Sequence, residues 1–408
     1  MKQFSIPVSY RSPLISAIKK KRKEADKMKK DFSPTSLDFG TVEIKLARHF
    51  GFCYGVENAI EIAFQTVESN HGKRIYLLSE MIHNPFVNED LINKGVQFLM
   101  DTKGNILIPF DTLTKEDIVI IPAFGTTLAI EEELRKIGIQ IERYNTTCPF
   151  VEKVWNRAEQ IAEKGYSIVV HGKPSHEETR ATFSHSNVHA PTIVINDMNE
   201  AIVLSEFILG SRPALEFDQH FNGRYSDGFD YQRDLEKFGV VNQTTMLASD
   251  TQAIADFLKS VVIKKYNLNE SNVGNHFADT RDTLCYATND NQTAVAHLLQ
   301  ESSDFAIVIG GRKSSNSSHL VELCEEKLPT YFIQSEEDIL SNNKIKCFNW
   351  RSHEEYFIEN YLTSKQKPVI AITSGASCPD AIVENVIKKI VSYFPSTTPM
   401  SQVESQWN

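Results

Sequence analysis

Three of the six cysteines occur in the same local context, each between an apparent strand and a helical segment: Cys53, Cys148 and Cys285. A helix N-terminus favours the thiolate that binds metals, although a cysteine in a turn is as often a small buried hydrophobe. The separations of 95 and 137 residues match no zinc-finger or ferredoxin spacing. If the three thiolates converge, they suit either an iron–sulfur cluster with one open iron or a zinc site with an open fourth position.

The other three cysteines have different surroundings. Cys324 lies in a helical segment, Cys347 lies near an apolar run, and Cys378 follows Ser377. We expect these three to be structural, with Cys378 the least settled. Six dispersed cysteines in 408 residues do not form a disulfide framework, and they indicate reduced thiols in a cytoplasmic protein.

Two serine-rich turns are candidate anion sites. Ser314-Ser315-Asn316 follows Gly310-Gly311 at the end of one apolar run, and Ser377 follows Gly375 at the end of another. Hydroxyl, amide and backbone N–H groups at a helix N-terminus bind anions. One such turn is more often a plain helix cap, but two at equivalent places in neighbouring strands favour an anion pocket.

Further polar groups could serve the same pocket. His83 and His176 are candidate hydrogen-bond donors to a phosphate group, although a single histidine in a loop is more often a surface residue. Glu178 follows His176 by two residues in a turn rich in Gly and Pro, which suits an acid–base pair. Thr244 lies in a second cluster of hydroxyl and amide groups, residues 242–245.

The elements that must position these residues alternate along the chain. Short β-branched runs precede helical stretches, which predicts βαβ units and parallel sheets. The runs cover residues 42–47, 74–78, 117–121, 167–170, 192–195, 306–309 and 368–372. Several of them end in Gly- or Ser-bearing turns, at the strand ends where α/β folds bind ligands.

Domain boundaries are weakly marked in the sequence. We expect a solvated, Lys-rich N-terminal arm (1–40), three α/β domains (41–148, 149–281 and 282–378) and a C-terminal helix and tail (379–408). Residues 210–239 are aromatic and turn-rich, and we interpret them as an insertion or long loop in the second domain.

Composition excludes several classes of protein. The net charge of −10 produces no overall field that attracts a polyanion, which argues against nucleic acid as the main partner. The longest apolar runs are too short to span a bilayer, and the N-terminal region has no apolar stretch of signal-peptide length. We therefore expect a cytoplasmic protein with no membrane contact.

Taken together and in order, these motifs resemble the 4-hydroxy-3-methylbut-2-enyl diphosphate reductase family, the last enzyme of the methylerythritol phosphate route to isoprenoids. The similarity extends from residue 44 to residue 391. It includes residues 51–56, 82–85, 147–151, 176–178, 242–245, 285–292, 314–316 and 375–380. The N-terminal arm and the insertion resemble the longer plant and cyanobacterial-type branch.

The resemblance implies three similar α/β domains with mainly parallel sheets, arranged as a trefoil around a central iron–sulfur cluster. It implies that Cys53, Cys148 and Cys285 hold a [4Fe–4S] cluster with one open iron. A low-potential electron donor, ferredoxin or flavodoxin, would supply electrons for reductive dehydroxylation to isopentenyl and dimethylallyl diphosphates.

The resemblance also assigns roles to the polar residues. Glu178 would be the proton source, and Thr244 would hydrogen-bond near the substrate hydroxyl. The residues that would bind the diphosphate are His83, His176, Ser314, Ser315, Asn316 and Ser377.

One position departs from the pattern of many family members. Where they have Ala-His-Gly, this chain has Ala123-Phe124-Gly125, and the longer branch also carries phenylalanine there. We interpret the change as a mark of the subtype. The change removes one hydrogen-bond donor to the diphosphate. Our hypothesis is that the remaining donors or a water molecule supply the lost hydrogen bond.

Two alternative functions remain open on the sequence alone. A hydro-lyase would keep the cluster as a Lewis acid and act on a phosphorylated or carboxylated substrate without electron transfer. A phosphate-ligand binding protein would have structural cysteines and no catalytic activity. Only the reductase requires an external electron donor, which distinguishes it from the hydro-lyase. Both enzymes would contain an iron–sulfur cluster, which the binding protein would lack.

Overall fold

The computed structural model of the chain describes residues 4–28, 30–278, 283, 285–362 and 366–407. Contacts divide the chain into two compact units. The first unit comprises Met1–Glu57, Ile82–Glu89 and Tyr286–Asn408, and the second comprises Asn58–Met81 and Asp90–Cys285. The predicted α/β class with mainly parallel sheets is confirmed. The three predicted domains and the trefoil stay predictions, and the boundary expected at Arg281 lies outside the described residues.

A five-stranded sheet forms the centre of the first unit. Its strands are β1 (Thr35–Asp38), β2 (Glu43–Leu46), β9 (Phe305–Ile309), β10 (Thr330–Ile333) and β13 (Val369–Ser374). Across the sheet they lie in the order β1-β2-β13-β9-β10. Only β1 pairs antiparallel within this sheet, and β11 (Lys344–Asn349) with β12 (Glu354–Glu359) forms a separate hairpin among the described residues. The helices are α1 (Pro13–Ala25), α11 (Tyr286–Leu298), α12 (Ser315–Glu325), α13 (Asp380–Val391) and α14 (Met400–Ser405).

The second unit contains two three-stranded parallel sheets in the part of the chain that the structure describes. One has the order β4-β3-β5 and comprises β3 (Ile75–Leu77), β4 (Gln97–Phe98) and β5 (Ile118–Ile120). The other has the order β7-β6-β8 and comprises β6 (Ser167–His171), β7 (Thr192–Ile195) and β8 (Phe238–Asn242).

The helices of the second unit are α4 (Leu128–Ile137), α5 (Pro149–Ala162), α6 (Glu177–Asn187), α7 (Met198–Leu209), α8 (Phe217–Phe221), α9 (Tyr231–Asp234) and α10 (Ala248–Tyr266). Two more, α2 (Tyr54–Ser69) and α3 (Pro85–Asn93), have residues in both units. No helix in the described ranges is long and apolar enough to cross a membrane.

The segment 210–239 is held in place by aromatic packing. Phe217 and Phe221 on α8 are buried, and both contact Phe207 on α7 edge to face. The backbone of the segment also reaches β7, since Val194 N–H donates to Arg224 O over 2.8 Å. The segment therefore contributes to the core of its unit and contains short helices, whereas the sequence predicted an insertion or a long loop.

Helix α1 contradicts the expectation of a solvated arm. Leu14, Ile15 and Ile18 are fully buried in the core of the first unit. Ser12 caps the helix by accepting from Ile15 N–H over 2.9 Å, and Lys19 Nζ lies 2.7 Å from Asp380 Oδ1 on α13. Apolar residues spaced by three and four positions give one buried helix face, and the many lysines occupy the other.

We predict that Ile15→Ala lowers the free energy of unfolding by about 2–5 kcal/mol, because it removes a fully buried side chain and leaves a cavity. The measurement is the urea unfolding midpoint. Val8→Ala is the matched control, since Val8 is 83% exposed, and its effect is expected within about 0.5 kcal/mol. Equal midpoints for wild type and Ile15→Ala would show that α1 does not belong to the folded core.

Candidate active site

The two serine-rich turns of the first unit lie side by side. Strands β9 and β13 pair in parallel with Ile309 opposite Ser374, so the turns that follow them leave the same edge of the sheet. Ser314 is the N-cap of α12 and accepts from Ser317 N–H over 3.2 Å. The adjacent turns predicted from the sequence are thus confirmed.

Close packing joins these turns. Asn316 Oδ1 accepts from Ala376 N–H over 2.9 Å, which links the start of α12 to the turn after β13. The Ser317 hydroxyl occupies the space where a Cβ on Gly310 or Gly375 would lie. A Cβ on Gly311 would overlap the carbonyl oxygen of His83. The glycines are therefore required by direct approach of neighbouring groups rather than by backbone angles.

Two buried donors in this region have no protein partner among the described residues. Ser315 Oγ and Asn316 Nδ2 lack hydrogen bonds, although the two residues are only 4% and 3% exposed. A buried polar group without a partner costs about 1–3 kcal/mol. Both atoms can donate, and they lie at the start of α12, where the helix dipole favours negative charge. The site therefore fits an anion.

The remaining predicted diphosphate residues of this unit lie beside the same turns. His83 and Ser377 are buried, and Ser377 Oγ donates to His83 O over 3.5 Å. Asn84 Nδ2 donates to Ser377 O over 2.8 Å, and Asn84 Oδ1 accepts from Phe86 N–H at the start of α3. The sequence analysis assigned no role to Asn84. Asn before Pro is a helix-start signal that could have revealed it.

In the second unit, Glu178 is a buried carboxyl group at the start of α6. It is 1% exposed. Its Oε1 accepts from Thr244 N–H over 2.5 Å, and its Oε2 accepts from Thr244 Oγ1 over 3.0 Å. Burial raises the pKa of Glu178 to about 7 because the carboxylate is desolvated, and the two bonds from Thr244 act in the opposite direction. A carboxyl group with this pKa can donate a proton at neutral pH.

His176 caps the same helix. Its Nδ1 accepts from Glu178 N–H over 3.2 Å. A neutral ring that accepts at Nδ1 carries its proton on Nε2, so Nε2 is the donor to any ligand. The structure thereby brings three of the predicted residues, His176, Glu178 and Thr244, into one hydrogen-bonded group.

Gln243 supports this group, and the sequence analysis did not single it out. Its Oε1 accepts from Lys173 N–H and from Thr179 Oγ1, both over 3.0 Å. These bonds connect the end of β8 to the turn after β6 and to α6. A Cβ on Gly172 would crowd both Thr179 and Gln243, so glycine is needed there. The sequence signal that could have identified Gln243 is an amide side chain beside the hydroxyl groups of residues 244 and 245.

The three cysteines each directly precede a helix, as predicted. Cys53 precedes α2, and its carbonyl accepts from Glu57 N–H over 2.9 Å. Cys148 is the N-cap of α5, and its N–H donates to Ala123 O over 2.9 Å. Cys285 directly precedes α11 and is 8% exposed. A cysteine next to a helix N-terminus is favoured as a thiolate, the form that binds iron–sulfur clusters. Within the described residues, however, no group of three or more His, Cys, Asp or Glu side chains is placed to hold a metal ion.

Within the first unit, Cys53 is tied to the anion site. Its N–H donates to Ala376 O over 3.2 Å, in the turn whose N–H groups meet Asn316. The second unit shows a similar link near Cys285, because Thr283 Oγ1 donates to Asn242 Oδ1 over 2.5 Å at the end of β8. Leu284 and residues 279–282 lie outside the described residues.

The other cysteines are buried in the core of the first unit. Cys324, Cys347 and Cys378 are at most 2% exposed. Burial raises the pKa of Cys324 and of Cys347 to about 12, and it raises the pKa of Cys378 as well. All six cysteines are present as thiols. Thiols held protonated in an apolar core are poor metal ligands, in line with the structural role expected for these three.

Phe124 packs against His176 in the second unit. Its ring contacts His176 edge to face, with ring centroids 5.4 Å apart. The turn is fixed by Gly125, which has a φ of +74° and lies against the Trp155 ring. Trp155 in turn stacks on His185 with a centroid distance of 3.7 Å. Phe124 therefore offers no hydrogen-bond donor from its side chain, and its ring makes an aromatic contact with His176.

These features describe an α/β protein with buried, unpartnered hydrogen-bond donors in one unit and a buried, ionisable carboxyl group in the other. A family model described as LytB protein matches residues 44–391. The chain belongs to the LytB protein family.

Several relatives match over most of the chain. A 4-hydroxy-3-methylbut-2-enyl diphosphate reductase from Crocosphaera subtropica is 39% identical over 352 residues, which are 86% of this chain and 85% of the relative. One of the same name from Trichormus variabilis is 39% identical over 363 residues, 89% of this chain and 87% of the relative.

Solved structures show the same fold. The structure of an (E)-4-hydroxy-3-methyl-but-2-enyl diphosphate reductase, described as the terminal enzyme of the non-mevalonate pathway, has a TM-score of 0.51 at 25% identity and covers 86% of this chain and 99% of its own. A reductase from Plasmodium falciparum has a TM-score of 0.60 at 21% identity, covering 85% and 86%.

We predict that Phe124→His changes the affinity for a diphosphate ligand only modestly, by less than about tenfold, because one added donor is partly offset by loss of the contact to His176. Titration with inorganic diphosphate measures this. Phe124→Leu is the matched control, since it removes the ring without adding a donor. A large gain in substrate turnover for Phe124→His would show instead that the natural site is impaired.

Proposed function

We propose that this protein is a 4-hydroxy-3-methylbut-2-enyl diphosphate reductase. It catalyses the reductive dehydroxylation of its substrate to isopentenyl and dimethylallyl diphosphates, the last step of the methylerythritol phosphate pathway. The observation that carries the proposal is the buried carboxyl of Glu178, whose pKa of about 7 suits a proton donor. The name shared by relatives that match most of the chain favours a reductase over a hydro-lyase or a non-catalytic binding protein.

The overall reaction consumes two electrons and two protons. The C–O bond of the allylic alcohol breaks, one proton leaves with the hydroxyl group as water, and one forms a new C–H bond. We assign Cys53, Cys148 and Cys285 as ligands of a [4Fe–4S] cluster with one open iron, because each thiol lies at a helix N-terminus. When bound, this cluster supplies the Lewis acidity and the electrons that the reaction needs. A low-potential ferredoxin or flavodoxin would reduce it.

The diphosphate would be bound mainly by neutral donors. Ser314, Ser315, Asn316 and Ser377 offer hydroxyl and amide groups, and His83 and His176 offer ring nitrogens. Neutral donors cost less to desolvate than ammonium groups, so a closed site can hold a dianion without a cluster of lysines. This explains how a chain of net charge −10 can bind an anionic substrate.

Glu178 would deliver the proton to the leaving hydroxyl. Its bonds from Thr244 orient both carboxylate oxygens, and His176 Nδ1 holds the backbone N–H of Glu178 at the start of α6. Thr244 also presents a hydroxyl oxygen that can accept a bond from the substrate. The six thiols suit the reducing cytoplasm, where we place the enzyme.

The experiment that tests this function is dithionite-driven turnover of the substrate by anaerobically reconstituted protein, with products identified by mass spectrometry. Both product diphosphates should form only when reductant is present. Glu178→Gln should lower turnover by at least about a hundredfold, since it removes the proton while keeping the shape. Product formation without reductant would favour the hydro-lyase, and no conversion by the wild type would reject the proposal.

The pH dependence follows from the pKa of Glu178. An acid catalyst must be protonated, so kcat/KM should be constant below pH 7 and fall about tenfold per pH unit above it. Thr244→Ala removes a bond that lowers the pKa of Glu178, so the falling limb should move to higher pH. Thr244→Ser keeps the hydroxyl and should retain the wild-type limb. If Thr244→Ala does not shift the pH at which kcat/KM begins to fall, a group other than Glu178 causes the fall.

A further inference from the structure

The N-terminal segment contacts the residues that flank Cys53. The Phe4 ring meets Tyr54 edge to face at 5.0 Å, and the Tyr10 ring meets Phe52 edge to face at 5.9 Å. Helix α1 is anchored by its buried apolar face and by the ion pair of Lys19 with Asp380. The segment therefore forms a fixed wall beside the Cys53 turn.

A cleft of about 250 Å³ lies between this wall and the Cys53 turn, within the first unit. Phe4, Lys19, Lys23 and Asp26 line it from the N-terminal segment. The residues from Arg48 to Tyr54, including Cys53, line another side. A candidate cluster ligand is thus reached from this cleft.

Arg48 gives the cleft a specific chemistry. The residue is only 7% exposed, and its Nε is buried without a hydrogen-bond partner among the residues that the structure describes. A buried guanidinium that lacks a hydrogen-bonding partner is costly, and a carboxylate satisfies it well because the two can form paired hydrogen bonds. The cleft also contains Asp26 and Asp290, so its interior charge is mixed rather than uniformly positive.

The surface around the cleft is basic. Lys20 and Lys23 on α1 and Lys27 in the turn that follows it are exposed, and Lys23 also lines the cleft. Residues 1–31 contain ten Lys and Arg against three Asp and Glu, in a chain whose net charge is −10. This local excess of positive charge would attract an acidic protein.

We propose that this cleft is the docking site of an acidic electron-carrier protein, one of whose carboxylates enters the cleft and pairs with Arg48. The inference rests on the proposed function, which requires an external electron donor. Three observations agree with this occupant: the buried Nε of Arg48 without a hydrogen-bond partner, the exposed lysines of α1 and its following turn, and the position of Cys53 in the lining. A docked carrier would face the turn of a cluster ligand, which shortens the path for electron transfer.

The test compares the holoenzyme with two variants. One is the triple variant Lys20→Glu, Lys23→Glu and Lys27→Glu, and the other is Arg48→Met, which keeps an unbranched apolar side chain and removes the guanidinium and its charge. The control is Lys264→Glu, an exposed lysine on α10 in the second unit. The probe is an acidic [2Fe–2S] ferredoxin, with binding measured by calorimetry in its oxidised form and turnover measured in its reduced form.

We expect both variants to bind ferredoxin at least about tenfold more weakly, with a matching loss in kcat/KM for the carrier. Dithionite-driven turnover should stay at the wild-type level, because dithionite does not need the docking site. Lys264→Glu should match the wild type in all three assays. Added salt should weaken binding to the wild type much more than binding to the triple variant.

Unchanged ferredoxin affinity in the triple variant would overturn the proposal, whatever Arg48→Met does. An equal loss in Lys264→Glu would overturn it too, since the attraction would then be nonspecific. Failure of the wild type to reduce the substrate with dithionite would instead reject the proposed function. The calorimetric measurement would still decide whether the cleft binds an acidic carrier.

Discussion

Strand β13 pairs in parallel with β2 on one side and β9 on the other, and this pairing brings three turns to one edge of the sheet. The turns carry Cys53, Ser377 and Ser314. The bonds between them are short and direct, from Cys53 N–H to Ala376 O and from Ala376 N–H to Asn316 Oδ1. The second unit uses the same device, because β6 and β8 pair in parallel and place Glu178 against Thr244. Parallel pairing thus positions both the serine-rich turns of the first unit and the buried carboxyl group of the second.

Burial has opposite consequences at the serine-rich turns of the first unit and at Glu178 in the second: it favours binding of a negative charge at the turns and disfavours a negative charge on Glu178. The anion site leaves Ser315 and Asn316 donors unsatisfied, so a ligand gains the hydrogen bonds that the protein lacks. The proton-donor site withdraws Glu178 from water, so its neutral form persists up to about pH 7.

The sequence predicted the parts of the structure that depend on local pattern. The β-branched runs became β2, β3, β5, β6, β7, β9 and β13 with boundaries close to those expected, since such runs fit buried parallel strands. Motif order indicated the family, and the adjacent serine turns followed from the strand pattern. These features need no knowledge of long-range contacts.

Other features depend on contacts that no local pattern contains. The lysines of α1 suggested a solvated arm, yet Leu14, Ile15 and Ile18 are buried in a core shared with α13, which lies far along the chain. The burial of Arg48 and the contact of Phe124 with His176 also arise from tertiary packing. The pKa of Glu178 is a further example, because its cause is desolvation by neighbours distant in sequence.

The most direct test of the account is the iron and acid-labile sulfide content of anaerobically purified protein, together with its visible absorption spectrum. The account predicts about four irons and four sulfides per chain in the wild type. It predicts loss of the cluster in Cys53→Ser, Cys148→Ser and Cys285→Ser, and retention in Cys347→Ser, whose thiol is buried in the core. Wild-type protein that holds zinc or no metal, with the three substitutions changing nothing, would contradict it.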